Sequence, residues 1–152
     1  MSDYEKVRAI HNWISHNTLY DRKLYARERI DTDPDFYRGG YNKSFNMEGV
    51  FFEGVAVCDG IAQGFNLMAS MVEIETVHVI GDISGELHAW NKVNIDYNGD
   101  GEKNWCHVNV TWDMPSRANS EGVLVEYIRE RYLITTYDQI SSSHELIDYW
   151  GR

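Results

Sequence analysis

The sequence predicts an α+β fold: a central antiparallel sheet packed against a helix carrying Cys58, with a second helix at the N-terminus. Two observations carry this. Val7, Ile10, Trp13 and Ile14 recur at helical spacing, and Ile61, Ala62, Phe65, Met68, Ala69 and Val72 do so again after Cys58. Three segments with strand character then succeed one another, at about 75–80, 87–95 and 104–112. The links between them, 81–85 and 96–101, are rich in Gly and Asp, and short links between successive strands favour a meander of three or more strands.

Taken in order, Ser2 followed by Glu5 is a capping-box pattern, so the first helix is expected from about residue 3 to 17. His11 and His16 read as surface or core-edge histidines. Asp21–Ile30 has enough charge for a short helix, while Asp31-Thr-Asp-Pro-Asp and Gly39-Gly40 are turn signals in a solvated loop. Val55-Ala56-Val57 leads into a helix that should start at or just before Cys58. Met68 and Met71 read as core fillers. After Pro115 a polar loop leads to Val123-Leu124-Val125 and a helix or strand near 125–134.

The 152 residues suit one domain spanning 1–152. Apolar residues at 43% and charged ones at 25% describe an ordinary globular chain, and the formal charge of −10 argues against a nucleic-acid partner or an anionic membrane surface. No apolar run approaches a membrane span, and the N-terminus lacks a signal-peptide pattern. The chain could still be cut from a longer parent with further domains, so compartment stays open. Two cysteines are too few for a disulfide framework. Cys106 should point away from the face carrying Asn109, so two unbridged thiols are expected, one of them reactive.

Three words carry the chemistry: Gly-Val-Ala-Val-Cys-Asp-Gly-Ile-Ala (54–62), His-Ala-Trp-Asn (88–91) and His-Val-Asn-Val-Thr-Trp-Asp (107–113). They supply a thiol, an imidazole and a carboxamide to orient the imidazole, the parts of a thiol acyl-transfer site. A helix N-terminus presents unpaired N–H groups and partial positive charge, which together with an imidazolium lowers a thiol's pKa. If the last strand runs through residue 109 in register, Asn109 can accept from one nitrogen of His88 and aim the other at Cys58.

In this order and spacing the three words resemble the core of the transglutaminase-like superfamily, whose papain-like layout puts cysteine on a helix and histidine and aspartate on adjacent strands. Tyr20-Asp21 is similar to a Tyr-Asp after the family's first helix, and Tyr132–Thr135 with Ser143-His144 resembles its closing segment. The resemblance implies that Cys58, His88 and Asn109 form the catalytic set, with the backbone N–H of Cys58 as an oxyanion donor. It also implies a protein or peptide substrate and no cofactor. Two departures stand out: Asn109 where the family usually has aspartate, and Ile61 where it often has tyrosine. An asparagine can orient the ring but not stabilise an imidazolium by charge. A working Asn triad, a weakened enzyme and an inactivated one are the three outcomes, the first being the expectation. Asp113 matches the family's trailing Thr-Trp-Asp rather than its triad aspartate.

Trp90 and Trp112 are candidates for substrate-binding walls of the cleft, although aromatics on such strands often serve as core. Asp96-Tyr-Asn98-Gly-Asp100-Gly101 resembles half an EF-hand loop, but its twelfth position is His107 and strands flank it, so a hairpin loop is the better reading. His78, His88 and His107 lack zinc-ligand spacing, and no metal is expected. The expected function is thioester-forming acyl transfer on peptide or glutamine carboxamides, with release to water as a cysteine peptidase or amidase. The alternatives are a protein-glutamine cross-linking transglutaminase and a binding module that keeps the fold.

Overall fold

The computed structural model describes residues 1–22, 24, 43–115 and 129–146. Helix α1 spans Asp3–Asn17; Ser2 accepts from the Glu5 backbone while the Glu5 carboxylate accepts from the Ser2 N–H at 2.7 Å, the expected capping box. Strand β1 (Leu19–Tyr20) pairs in parallel with β2 (Val55–Ala56). A 3-10 turn (Lys43–Phe45) and a π turn (Gly49–Glu53) precede β2. Helix α2 runs Cys58–Met71, beginning at the cysteine as expected.

The sheet is fully antiparallel in the order β5-β4-β3-β6, with β3 at Glu75–Ile83, β4 at Glu86–Ile95, β5 at Asn104–Val108 and β6 at Glu145–Leu146. The α+β fold and the three-strand meander are therefore as read from the chain, and β6 adds an edge strand. Strand β3 continues through Gly81-Asp82, and the turn contracts to Ser84-Gly85, both at positive φ, as a two-residue hairpin turn demands. In the second hairpin loop the Asp96 carboxylate accepts from the N–H groups of Gly99 and Gly101.

Strand β5 stops at Val108, short of the expected 112. Asn109 leaves the strand and caps a short helix, α3 (Val110–Asp113), its side chain accepting from the Trp112 N–H. Asparagine competes well for this role because its short carbonyl reaches an orphan helix donor. Residues 129–135 form no helix; Thr135 instead bridges His107 in antiparallel fashion. The expected helix over 21–30, the loop over 31–40 and the apolar stretch 123–125 lie almost wholly outside the described residues. Helix α4 (Tyr137–Ile140), with a Thr136/Gln139 capping box, leads on to β6.

The core forms where α1 and α2 meet β4 and β5, through Ile10, Ile14, Ile61, Phe65, Val93 and Val108 among others. Met68 packs at its edge and Met71 is exposed, so only the first is a filler. His11 is fully buried rather than at a core edge: its Nε2 donates to Asp113 Oδ2 at 3.0 Å. The same oxygen accepts from the Tyr132 N–H at 2.7 Å, and the Tyr132 carbonyl accepts from Asn109 N–H at 2.9 Å.

Helix α2 is held at its beginning by the 43–49 segment. The Val57 N–H donates to Ser44 O, and a Cβ on Gly60 would collide with that carbonyl and lie 2.8 Å from Asn46 O. Gly60→Ala should destabilise the fold by about 1–3 kcal/mol, the scale of overpacking against backbone. Asp113→Ala strands the buried His11 donor and the Tyr132 N–H and should cost roughly 2–5 kcal/mol. Urea unfolding of both variants measures these losses, and values near zero for Asp113→Ala would show that the His11 contact holds nothing in place.

Candidate active site

The cleft lies where the amino end of α2, the tip of the β3–β4 hairpin and helix α3 converge. Its volume is about 820 Å³, and Cys58, His88, Trp112, Leu87, Tyr20 and Arg129 are among its lining. Cys58 is the first residue of α2 and half-buried, and neither it nor Cys106 is in a disulfide. Cys106 is buried among the core residues, which raises its thiol pKa.

His88 stands near the start of β4 and Asn109 just past the end of β5. The pairing of Asn91 with Val108 places Asn109 on a diagonal from His88 rather than opposite it. The two still meet: His88 Nε2 lies 3.2 Å from Asn109 Oδ1. That oxygen also accepts from the Trp112 N–H at 3.3 Å, and since a backbone N–H can only donate, the amide orientation is set. His88 Nε2 therefore carries the hydrogen, and Nδ1 is the basic nitrogen. Burial lowers the His88 pKa, and the Asn109 hydrogen bond partly offsets this.

The Asn109 amide nitrogen has its own partner, His144 Nε2, at 2.9 Å. His144 is buried between Trp90 and Trp112, whose ring centroids lie 5.0 and 4.8 Å away, and its Nδ1 meets Ser143 Oγ at 2.7 Å. Burial, then the charge of His88, pushes its pKa down to about 4. Sequence reasoning had marked Ser143-His144 only as part of a closing segment. A spacing of 35 residues hides the contact from any local pattern.

Trp112 lines the cleft and is 36% exposed. Trp90 does not line it. Its ring is 1% exposed, stacks beside His88 and donates its indole N–H to His107 Nδ1 at 2.9 Å. Alternation along β4 places residues 88 and 90 on one face, but the closing segment covers that face beyond His88. Burial, followed by the charges of Lys92 and His144, lowers the His107 pKa to about 4. Among the described residues no three His, Cys, Asp or Glu side chains gather where they could hold a metal ion, and no helix is long and apolar enough to cross a membrane.

A family model described as the transglutaminase-like superfamily matches residues 1–110, so the chain belongs to that superfamily. Among solved structures it is similar to one described as a TGase, at 18% identity and a TM-score of 0.60, covering 95% of this chain and 32% of the other. It is also similar to a protein from Cytophaga hutchinsonii provisionally named a cysteine protease, again at 18% identity, with a TM-score of 0.50, covering 98% of this chain and 41% of the other. These likenesses establish the shared fold, and the chain spans between about a third and two fifths of each neighbour's length. No curated protein matches it.

His107 and His144 are neutral in the folded chain above their pKa of about 4 and would protonate near 6.5 when unfolded. The unfolded state binds more protons between those values, so stability is full above pH ~6.5 and falls as pH drops towards ~4. Each histidine adds a slope approaching about 1.4 kcal/mol per pH unit. Urea midpoints taken through this window should track that fall, and His144→Gln should flatten it; an unchanged slope would contradict a neutral buried His144.

Proposed function

We propose that this chain is a cysteine acyl-transfer enzyme acting on peptide or glutamine carboxamides, with Cys58 as nucleophile, His88 as acid–base group and Asn109 as the group that orients His88. One observation carries the reading. Cys58 opens a helix and shares a cleft with a histidine whose Nε2 is held by a carboxamide, leaving Nδ1 as the base. The amino end of α2 favours the thiolate by its partial positive charge. Cys58 Sγ attacks the carbonyl carbon, and His88 Nδ1, having taken the thiol proton, returns it to the leaving amine as the C–N bond breaks. The acyl group is then a thioester on Cys58.

Release to water, which regenerates the thiol, is the route this reading prefers; the exposure of Trp112 at 36% and Leu87 at 73% on the cleft wall supports it. Transfer to a substrate amine, the cross-linking route, proceeds through the same thioester. The neighbours' names include a TGase and a cysteine protease, one for each route. With Asn109 in place of an aspartate, the imidazolium loses charge stabilisation but keeps its orientation, as Cys-His-Asn sites do. Substrate-wall duty falls to Trp112.

Iodoacetamide labelling of Cys58, followed across roughly pH 4 to 9, tests the reading in the range where activated thiols titrate. Cys106 is a poor comparator because burial alone keeps it slow. The control is therefore Cys58 itself in His88→Ala. Labelling that stays fast well below pH ~8.5 and slows in the variant is the expected result, with His88 Nδ1 taking the thiol proton as Cys58 reacts. An ordinary thiol curve indifferent to His88 would reduce the chain to a binding module on this fold.

A further inference from the structure

We infer that His144 is a positioning residue for His88: by accepting a hydrogen bond from the Asn109 amide it holds that amide in the orientation that keeps His88 Nδ1 free of a hydrogen. The inference rests on the roles of Cys58 and His88 proposed above.

The argument is one of hydrogen-bond polarity. The Asn109 NH2 can only donate, so a neutral His144 accepts on Nε2 and carries its hydrogen on Nδ1, and the Ile140 carbonyl, 3.2 Å from Ser143 Oγ, is there to take the hydroxyl hydrogen. Ser143 Oγ then accepts from His144 Nδ1 at 2.7 Å. A neutral imidazole with its hydrogen on Nδ1 has a lone pair on Nε2, and that lone pair faces the Asn109 amide nitrogen at 2.9 Å. The amide's oxygen is thereby turned to His88 Nε2–H. The sense of every bond from the Ile140 carbonyl to His88 is consistent, and the Trp112 N–H, at a longer 3.3 Å, favours the same orientation that the 2.9 Å contact to His144 holds.

This arrangement gives the Asn109 departure a physical counterpart. An aspartate at 109 would bring oxygens only, with no donor to satisfy. An asparagine brings an NH2 group into a fully buried position, where an unmet donor is costly. His144 meets it, and can do so only while neutral. The surroundings favour the neutral ring: Trp90, Trp112 and Tyr132 enclose it, with centroids at 5.0, 4.8 and 5.8 Å, and its pKa of about 4 agrees. An imidazolium would set donor against donor at Asn109.

The test begins with long-range proton–nitrogen spectra of the chain carrying nitrogen-15 histidine, at neutral pH. His144 should carry its hydrogen on Nδ1 and His88 on Nε2. An Nε2–H tautomer or an imidazolium at His144 would overturn the inference without any substitution. In His144→Leu, which leaves the amide without an acceptor, His88 should drift to mixed tautomers. Iodoacetamide labelling of Cys58 should then slow about tenfold, the scale on which groups one step removed from a reacting centre act. His144→Gln, whose carbonyl can accept in the same place, should restore most of the rate. If His144→Leu folds with tautomer and rate unchanged while His88→Ala abolishes activation, this inference alone fails. If His88→Ala has no effect either, the reading of the site fails with it.

Discussion

The carboxylate of Asp113 holds together three parts of the chain that have no sequence proximity. It receives His11 from the N-terminal helix and the Tyr132 N–H from the returning chain, and it closes the short helix that Asn109 opens. Tyr132 in turn receives the Asn109 N–H on its carbonyl. Asn109 is thus held from both sides, by its own backbone and by a helix whose last residue is anchored in the core. A side chain that must meet a histidine on a diagonal across a sheet needs this restraint, because strand pairing ends before it arrives. The trailing Thr-Trp-Asp word contributes a structural carboxylate, and among the described residues the side chain bonded to His88 is the Asn109 amide.

Asn109 concentrates several functions in one amide. Its oxygen caps α3 and receives His88, while its nitrogen is met by His144. An aspartate could perform the first two and would strengthen the second by charge. The amide adds no charge to a pocket walled by indole rings, and with the neutral His144 beside it avoids the desolvation that a buried ion would incur. The physical trade is weaker support for an imidazolium at His88 against an orienting pair that buries no charge.

Much of this was legible locally. The capping box at Ser2, the helix beginning at Cys58 and the meander over 75–108 follow from periodicity and turn chemistry that act within a few residues. The His88–Asn109 contact was legible for the right residues by a partly wrong route. A strand through residue 112 was expected, whereas Asn109 begins a helix; the asparagine before Val-Thr-Trp-Asp was the available signal. Trp90 shows the limit of alternation. Period two states that it shares a face with His88 but not what covers that face, and here His107, His144 and the closing segment do. His11 and His144 were unreadable for a related reason, since their partners lie 102 and 35 residues away and only the folded chain brings them together.

The Ser84-Gly85 turn has a consequence for where His88 stands. Strand β4 follows β3 through two residues, and Gly81 is opposite His88 as a result. Side chains along a strand alternate, so a shift of one residue passed from that turn into β4 would turn His88 to the other face and bring Ala89 or Leu87 to its place. A shift of two would keep the facing and move the ring along the strand by about 7 Å. The histidine's presence in the cleft is therefore a question of odd and even numbers. The length of a solvent-exposed turn, three residues before the ring, decides it.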